Sequence, residues 1–100
     1  MEVRYDDADL QRLATDVDFH MPRYGRDLER SFRKAIGLLE SSSSQSELRN
    51  FRGLRLELLK GDLKGLHSVR LNQQWRLIIE FRTNAQHQEM LVIKIVDYHR

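Results

Sequence analysis

Near the C-terminus a strand-like run, Leu91-Val92-Ile93-Lys94-Ile95-Val96, delivers Asp97-Tyr98-His99, three groups able to move or steer protons, to the tip of an apolar strand. Upstream, Arg55-Leu56-Glu57-Leu58-Leu59-Lys60-Gly61-Asp62 and Ser68-Val69-Arg70-Leu71-Asn72-Gln73-Gln74-Trp75-Arg76 add carboxylates and strong cations. These groups suffice to cut an RNA phosphodiester without a metal. RNA brings its own nucleophile, the 2′-hydroxyl. Cleavage then needs a base for that proton, a cation for the crowded phosphorane and an acid for the departing 5′-oxygen. His99 can serve as acid or base near neutral pH, and Glu57 is a second possible base. Tyr98, with a free pKa of about 10, suits stacking on a base or positioning a phosphate better than proton transfer. Asp97 can orient His99 or a basic residue. Lys60, Arg70 and Arg76 are phosphate ligands, with Arg55 and Lys64 of the same basic stretch as further RNA contacts.

Each group also has a plain structural reading. A terminal histidine is often exposed decoration, and Asp97 can pair with an arginine at the edge of the core. Trp75 fits an apolar strand face better than a stacking platform. Gly61 and Gly65 fit turns, since neither P-loop nor dinucleotide spacing is present. His20, His67 and His87 are scattered without metal-ligand spacing, so neither metal nor cofactor is expected.

The elements that must position these groups follow from periodicity. Val3-Arg4-Tyr5 can begin a short strand. Asp6 or Asp7 suits the N-cap of a helix with Leu10, Leu13, Ala14 and Val17 inward. Pro22 suits the start of a second helix, whose inner stripe is Leu28, Phe32, Ala35, Ile36 and Leu39. The serines at 41–44 end it, and residues 45–51 can add a turn of helix. From residue 54 the period becomes two: Leu54, Leu56 and Leu58 alternate with Arg55 and Glu57, and further strands follow at 69–72, 75–82 and 91–96. The pattern predicts a single α+β domain over 1–100. Two N-terminal helices pack on one face of an antiparallel sheet of three or four strands, with room for a fifth.

Register decides where the cations go. A two-residue turn at Gln73-Gln74 would set Leu71 against Arg76 and mix apolar with charged groups on each face. A three-residue loop, Asn72 to Gln74, sets Leu71 against Trp75 and Arg70 against Arg76, which keeps one face apolar. Like charges opposed across strands are destabilising, so this register makes sense with an anion between the two arginines. Otherwise they splay into water or pair with Glu57 or Asp97.

Composition excludes several classes. The chain is 40% hydrophobic and 32% charged, as in a globular protein, and has no cysteine for disulfides or thiolate metal sites. No apolar run has the length of a membrane span, and the start lacks the pattern of a secretory signal. The net charge of +2 is uneven, because residues 45–76 carry seven basic and three acidic side chains. Such a segment suits a surface that meets a polyanion.

Taken together, Arg55-Leu56-Glu57 with Leu59-Lys60-Gly61-Asp62 and Gly65, Ser68-Val69-Arg70 with Gln74-Trp75-Arg76, and Val96-Asp97-Tyr98-His99 resemble the HigB toxins of the RelE/ParE toxin–antitoxin superfamily. Order and spacing agree over residues 54–99, while 1–50 are similar only in size and helical layout. The resemblance implies a RelE-like fold and a cytoplasmic, metal-independent mRNA endonuclease that cuts translated messages in the A site of the 70S ribosome. It also implies a HigA-like helix-turn-helix antitoxin, with operator DNA reached only through that antitoxin, and no membrane partner. By position, Asp97, Tyr98 and His99 match the family's terminal catalytic segment. Arg76 matches its phosphate-contacting arginine, and Lys60 the lysine of its Lys-Gly-Asp turn. Some members carry a histidine where this chain has Glu57 and others a glutamate, so a two-histidine mechanism does not transfer. Arg100 follows His99 where many relatives stop. The alternatives are a ParE-like inhibitor of DNA gyrase, which has no chemical need of the polar terminal segment, and an inactive member that only binds antitoxin.

Overall fold

The computed structural model describes residues 1–83 and 87–98. In chain order the elements are β1 (Glu2–Tyr5), α1 (Ala8–Thr15), α2 (Arg26–Ser41), α3 (Gln45–Arg49), β2 (Glu57–Leu58), β3 (His67–Arg70), β4 (Trp75–Thr83) and β5 (Gln88–Asp97). Two 3₁₀ turns, Arg52–Leu54 and Gly61–Leu63, flank β2.

Asp7 caps α1 by accepting from the Leu10 amide at 3.0 Å. Leu10 and Leu13 turn inward. Val17 does not join them: the helix ends at Thr15 and Val17 is 74% exposed. In α2 the expected stripe, Leu28, Phe32, Ala35, Ile36 and Leu39, is buried. The helix starts at Arg26 rather than at Pro22, because Gly25 holds φ at 82° and interrupts the chain. Met21 to Tyr24 instead form a turn, fixed by the Glu29 carboxylate, which accepts from the Met21 amide and meets His20 Nδ1, both at 2.7 Å. Ser44 caps α3, and Leu48 completes the helical side of the core.

The sheet runs β1-β5-β4-β3-β2. Four strands pair antiparallel as expected, but the fifth, β1, lies parallel to β5, with Val3 opposite Met90. The whole chain separates these two strands, so no tight turn dictates their direction. The alternation expected over Leu54 to Leu58 is only partly realised. Leu54 is buried in a 3₁₀ turn, Arg55 reverses the chain at φ 45°, and only Glu57–Leu58 is strand, leaving Leu58 61% exposed.

A bulge in β5 settles the faces. Lys94 pairs with Ile78 but Val92 pairs with Ile79, so Ile93 is an extra residue. Without it Val92 and Ile95 would point to opposite faces. With it both join Val69, Leu71, Leu77, Ile79 and Met90 against the helices. Val96 and Tyr98 are thereby aimed at the opposite, open face, and Asp97 at the helical one.

Candidate active site

The β3–β4 hairpin adopts the three-residue loop. Leu71 N donates to Trp75 O at 3.0 Å, and Arg70 stands opposite Arg76. Asn72 fixes this register, since its Oδ1 accepts from the amides of Gln74 and Trp75, both at 2.8 Å. Trp75 falls on the helical side, edge-on to Tyr24 with ring centroids 5.3 Å apart, as its apolar strand position predicts.

Residues opposite one another share a face, so the open side reads as rows across the strands. Glu57, Ser68, Ile78 and Lys94 form one row, Arg70, Arg76 and Val96 the next. Tyr98 lies beyond Val96. A groove of about 380 Å³ opens here, lined by Arg55, Glu57, Arg70, Gln73, Arg76 and Tyr98. Three guanidiniums thus face one carboxylate. Among the described residues none of the three forms an ion pair.

Arg76 is the centre of this arrangement. It is only 8% exposed, and the Tyr98 ring lies over it with Cζ 4.5 Å from the ring centroid. Its Nη1 and the Oγ of Ser68 are buried without a hydrogen-bond partner among the described residues. Buried polar atoms in native proteins are normally paired. Arg76 lines the groove, whereas Ser68, diagonal to it across β3 and β4 on the same sheet face, does not.

The other expected residues divide. Arg55 and Glu57 line the groove with Arg70, Arg76 and Tyr98. Lys60 and Lys64 flank the Gly61–Leu63 turn, exposed, and line none of it. Asp97 faces away from the arginine row, and its Oδ2 accepts from Gln74 Nε2 at 3.0 Å. His99, like Arg100, lies outside the described residues. Two residues read as plain turn positions acquire roles. Gln73 lines the groove, and Gln74 clamps the C-terminal segment by accepting from the Tyr98 amide at 2.6 Å while its side chain holds Asp97. The signal was present in the register, which puts Trp75, next to Gln74, opposite Asp97.

The histidines are not all solitary. His87, Glu2 and Glu89 bring their ligand-type atoms within 4.8 Å of one another, because Glu2 and Glu89 face each other across β1 and β5. A cation is already there: Arg4 Nε lies 2.7 Å from Glu89 Oε2 and 3.1 Å from Glu2 Oε2. His67 is buried at the other face, its ring edge-on to Phe81. Burial, then the nearby Arg49 charge, lowers its pKa. Among the described residues no helix is long and apolar enough to cross a membrane.

Helices on one face of a five-strand mixed sheet give the fold seen in RelE- and YoeB-like toxins. The fold is shared with a YoeB/ParE toxin from Agrobacterium tumefaciens (TM-score 0.57, 16% identity, 99% of this chain and 100% of that one). It is shared also with a YoeB–YefM complex from Staphylococcus aureus (TM-score 0.54, 17% identity, 100% and 98%). Within that class, residues 3–99 match the sequence model of the HigB-like toxins, described as the RelE-like toxin of type II toxin–antitoxin system HigB, and the chain belongs to that family. It is similar to Toxin HigB-1 of Vibrio cholerae, 37% identical over 54 residues, which is 54% of this chain and 57% of that protein. The chain thus aligns with little more than half the length of this curated relative.

Proposed function

We propose that this chain is a ribosome-dependent mRNA endonuclease, neutralised by a HigA-like helix-turn-helix antitoxin. The observation that carries the reading is Arg70 opposed to Arg76 in a groove where, among the described residues, neither forms an ion pair. Phosphate supplies a counter-ion to both. The 2′-oxygen attacks the adjacent phosphorus, the 5′-oxygen leaves, and the products are a 2′,3′-cyclic phosphate and a 5′-hydroxyl end. Arg76 and Arg70 take up the charge that grows on the non-bridging oxygens, where preorganised donors contribute most. Tyr98 stacks on a base or steadies the phosphate from above Arg76. Glu57 in the groove and His99, the next residue after Tyr98, share the two proton transfers, one removing the 2′-proton and the other protonating the 5′-oxygen. Every role falls to a side chain, which supports chemistry without a metal. The ribosome presents a single-stranded message, so the small groove needs to hold only the nucleotides at the cut.

Inducing the chain without antitoxin tests this. Growth should stop and messages should be cut within translated codons, and Arg76→Ala should reduce cutting by about 10²–10³-fold while circular dichroism shows an intact fold. Arrested replication with intact messages would instead establish the gyrase-inhibitor reading. Toxicity that depends on neither Arg76 nor His99 would remove the catalytic assignment.

A further inference from the structure

A second cleft shares a wall with the groove. It lies between α2 and the Arg52–Leu54 turn, encloses about 220 Å³, and has Arg70 in common with the arginine groove. Its walls are apolar at Leu38, Leu54 and Leu71, and Lys34 joins Arg70 among its lining residues. Among the described residues neither cation forms an ion pair. The volume lies below the roughly 300 Å³ at which pockets for drug-sized molecules begin, so it accommodates a single planar ring rather than an extended ligand.

We propose that this cleft is a nucleotide subsite, taking the base one nucleotide beyond the pair that flanks the phosphate bound between Arg70 and Arg76. The inference rests on the RNA reading of the groove. Apolar walls beside two cations that form no ion pair among the described residues match the two halves of a nucleotide, a ring face and a phosphate. An apolar peptide side chain would use only the walls and leave both charges unanswered. Arg70 belongs to both cavities, so a strand passing from one to the other stays in contact with a guanidinium. Leucine side chains offer no hydrogen bonds to base edges, so side-chain readout of the base falls to Ser31, Lys34 and Arg70.

Gly53 permits a test that spares the fold. It also lines the cleft, its backbone is outside the left-handed region, and a Cβ added there meets no atom within 4 Å. Gly53→Leu therefore fills space without backbone strain, and Lys34→Gln removes one charge from an exposed helix position. The probes are thymidine di- and tetranucleotides, which lack the 2′-hydroxyl and are not cut. Binding is followed by amide NMR and by titration on the full chain. The tetramer should shift Lys34 and Gly53 as well as Gln73 and Arg76, whereas the dimer should shift only the last two. Gly53→Leu should weaken the tetramer by about tenfold and leave the dimer within about twofold. Lys34→Gln should flatten the tetramer's log–log salt dependence by about 0.7, the value for one phosphate on a single strand.

If both variants leave tetramer affinity and salt slope unchanged while Gln73 and Arg76 still respond, the subsite is wrong and the groove reading survives. If neither oligonucleotide moves Gln73 or Arg76, the groove reading itself has failed and takes the subsite with it. Should Gly53→Leu spare the oligonucleotides but release a co-expressed antitoxin, the cleft belongs to a protein partner and the proposal is overturned.

Discussion

At the scale of single residues the groove is built at some cost to stability, and Arg55 shows this most directly. It holds φ 45° and ψ 55°, the left-handed region, which disfavours a side chain by roughly 1–2 kcal/mol. Nothing in the Arg52–Leu54 turn requires arginine there, and glycine would serve the backbone better. The guanidinium is retained in the groove instead. Arg55→Gly should therefore melt no lower than the parent chain and yet cut message more slowly, a separation that scanning calorimetry and a cleavage assay would detect together. A lower melting point would show that Arg55 holds the turn by contacts and carries no strain. Ser68 supplies the complementary case. Its hydroxyl is buried and has no partner among the described residues, so its removal takes away no hydrogen bond seen there, and Ser68→Ala should leave urea stability within about 0.5 kcal/mol. If the hydroxyl donates to a phosphate oxygen, inorganic phosphate should bind the variant several-fold more weakly; equal affinity would return Ser68 to a purely structural role.

At the scale of elements the β3–β4 hairpin governs the site, because register alone decides whether Arg70 and Arg76 meet. Asn72 is the pin, through two 2.8 Å bonds from backbone amides to one side-chain oxygen. Asn72→Ala leaves both amides without that acceptor and should cost about 1–2 kcal/mol, with groove affinity falling in proportion. Asn72→Asp keeps the acceptor and should restore stability, measured by urea unfolding; a variant as unstable as Asn72→Ala would show that the amide nitrogen of Asn72 matters instead. This hairpin was legible in the sequence because strict alternation with one apolar face admits only one register. The α2 stripe was legible for the analogous reason at helical period. Three features were not. The β5 bulge was hidden because an apolar run such as Leu91 to Val96 has no alternation to break, and the bulge is what turns Asp97 away from the arginines. The start of α2 was obscured because Pro22 is a strong local signal, overridden by Gly25 and by a tertiary contact, Glu29 reaching back to Met21. The parallel β1–β5 pairing joins strands from opposite ends of the chain, where no local pattern operates.

At the scale of the whole molecule the two sheet faces divide the work, and the helical face must hold firm for the open face to keep its geometry. Two buried titratable groups on that side make its stability sensitive to acid. Glu29 is 2% exposed; burial pushes its carboxyl up, but the bonds from His20 and Met21 and the nearby Arg33 outweigh this and leave the pKa below its ordinary value of 4.5. A depressed carboxyl contributes stability that is complete above the unfolded value and lost as pH falls through the lower folded one. His67 is a base whose pKa burial and then Arg49 lower from 6.5. Its unfolded form therefore binds protons first, and its contribution is complete above pH 6.5 and declines as pH falls toward the folded value. Both effects have the same sign, but they act in different windows. Urea midpoints measured from pH 7.5 to 3.5 should fall in two stages, the first beginning near 6.5 and the second below about 4.5. His67→Gln should flatten the first stage and spare the second. Glu29→Gln should lower stability at neutral pH by about 2 kcal/mol, since it weakens hydrogen bonds to a buried charge, and flatten the second. A midpoint constant between pH 7 and 5 in the parent chain would mean that the His67 ring accepts a proton without leaving its place against Phe81. The helical face would then tolerate the charge that burial of His67 disfavours.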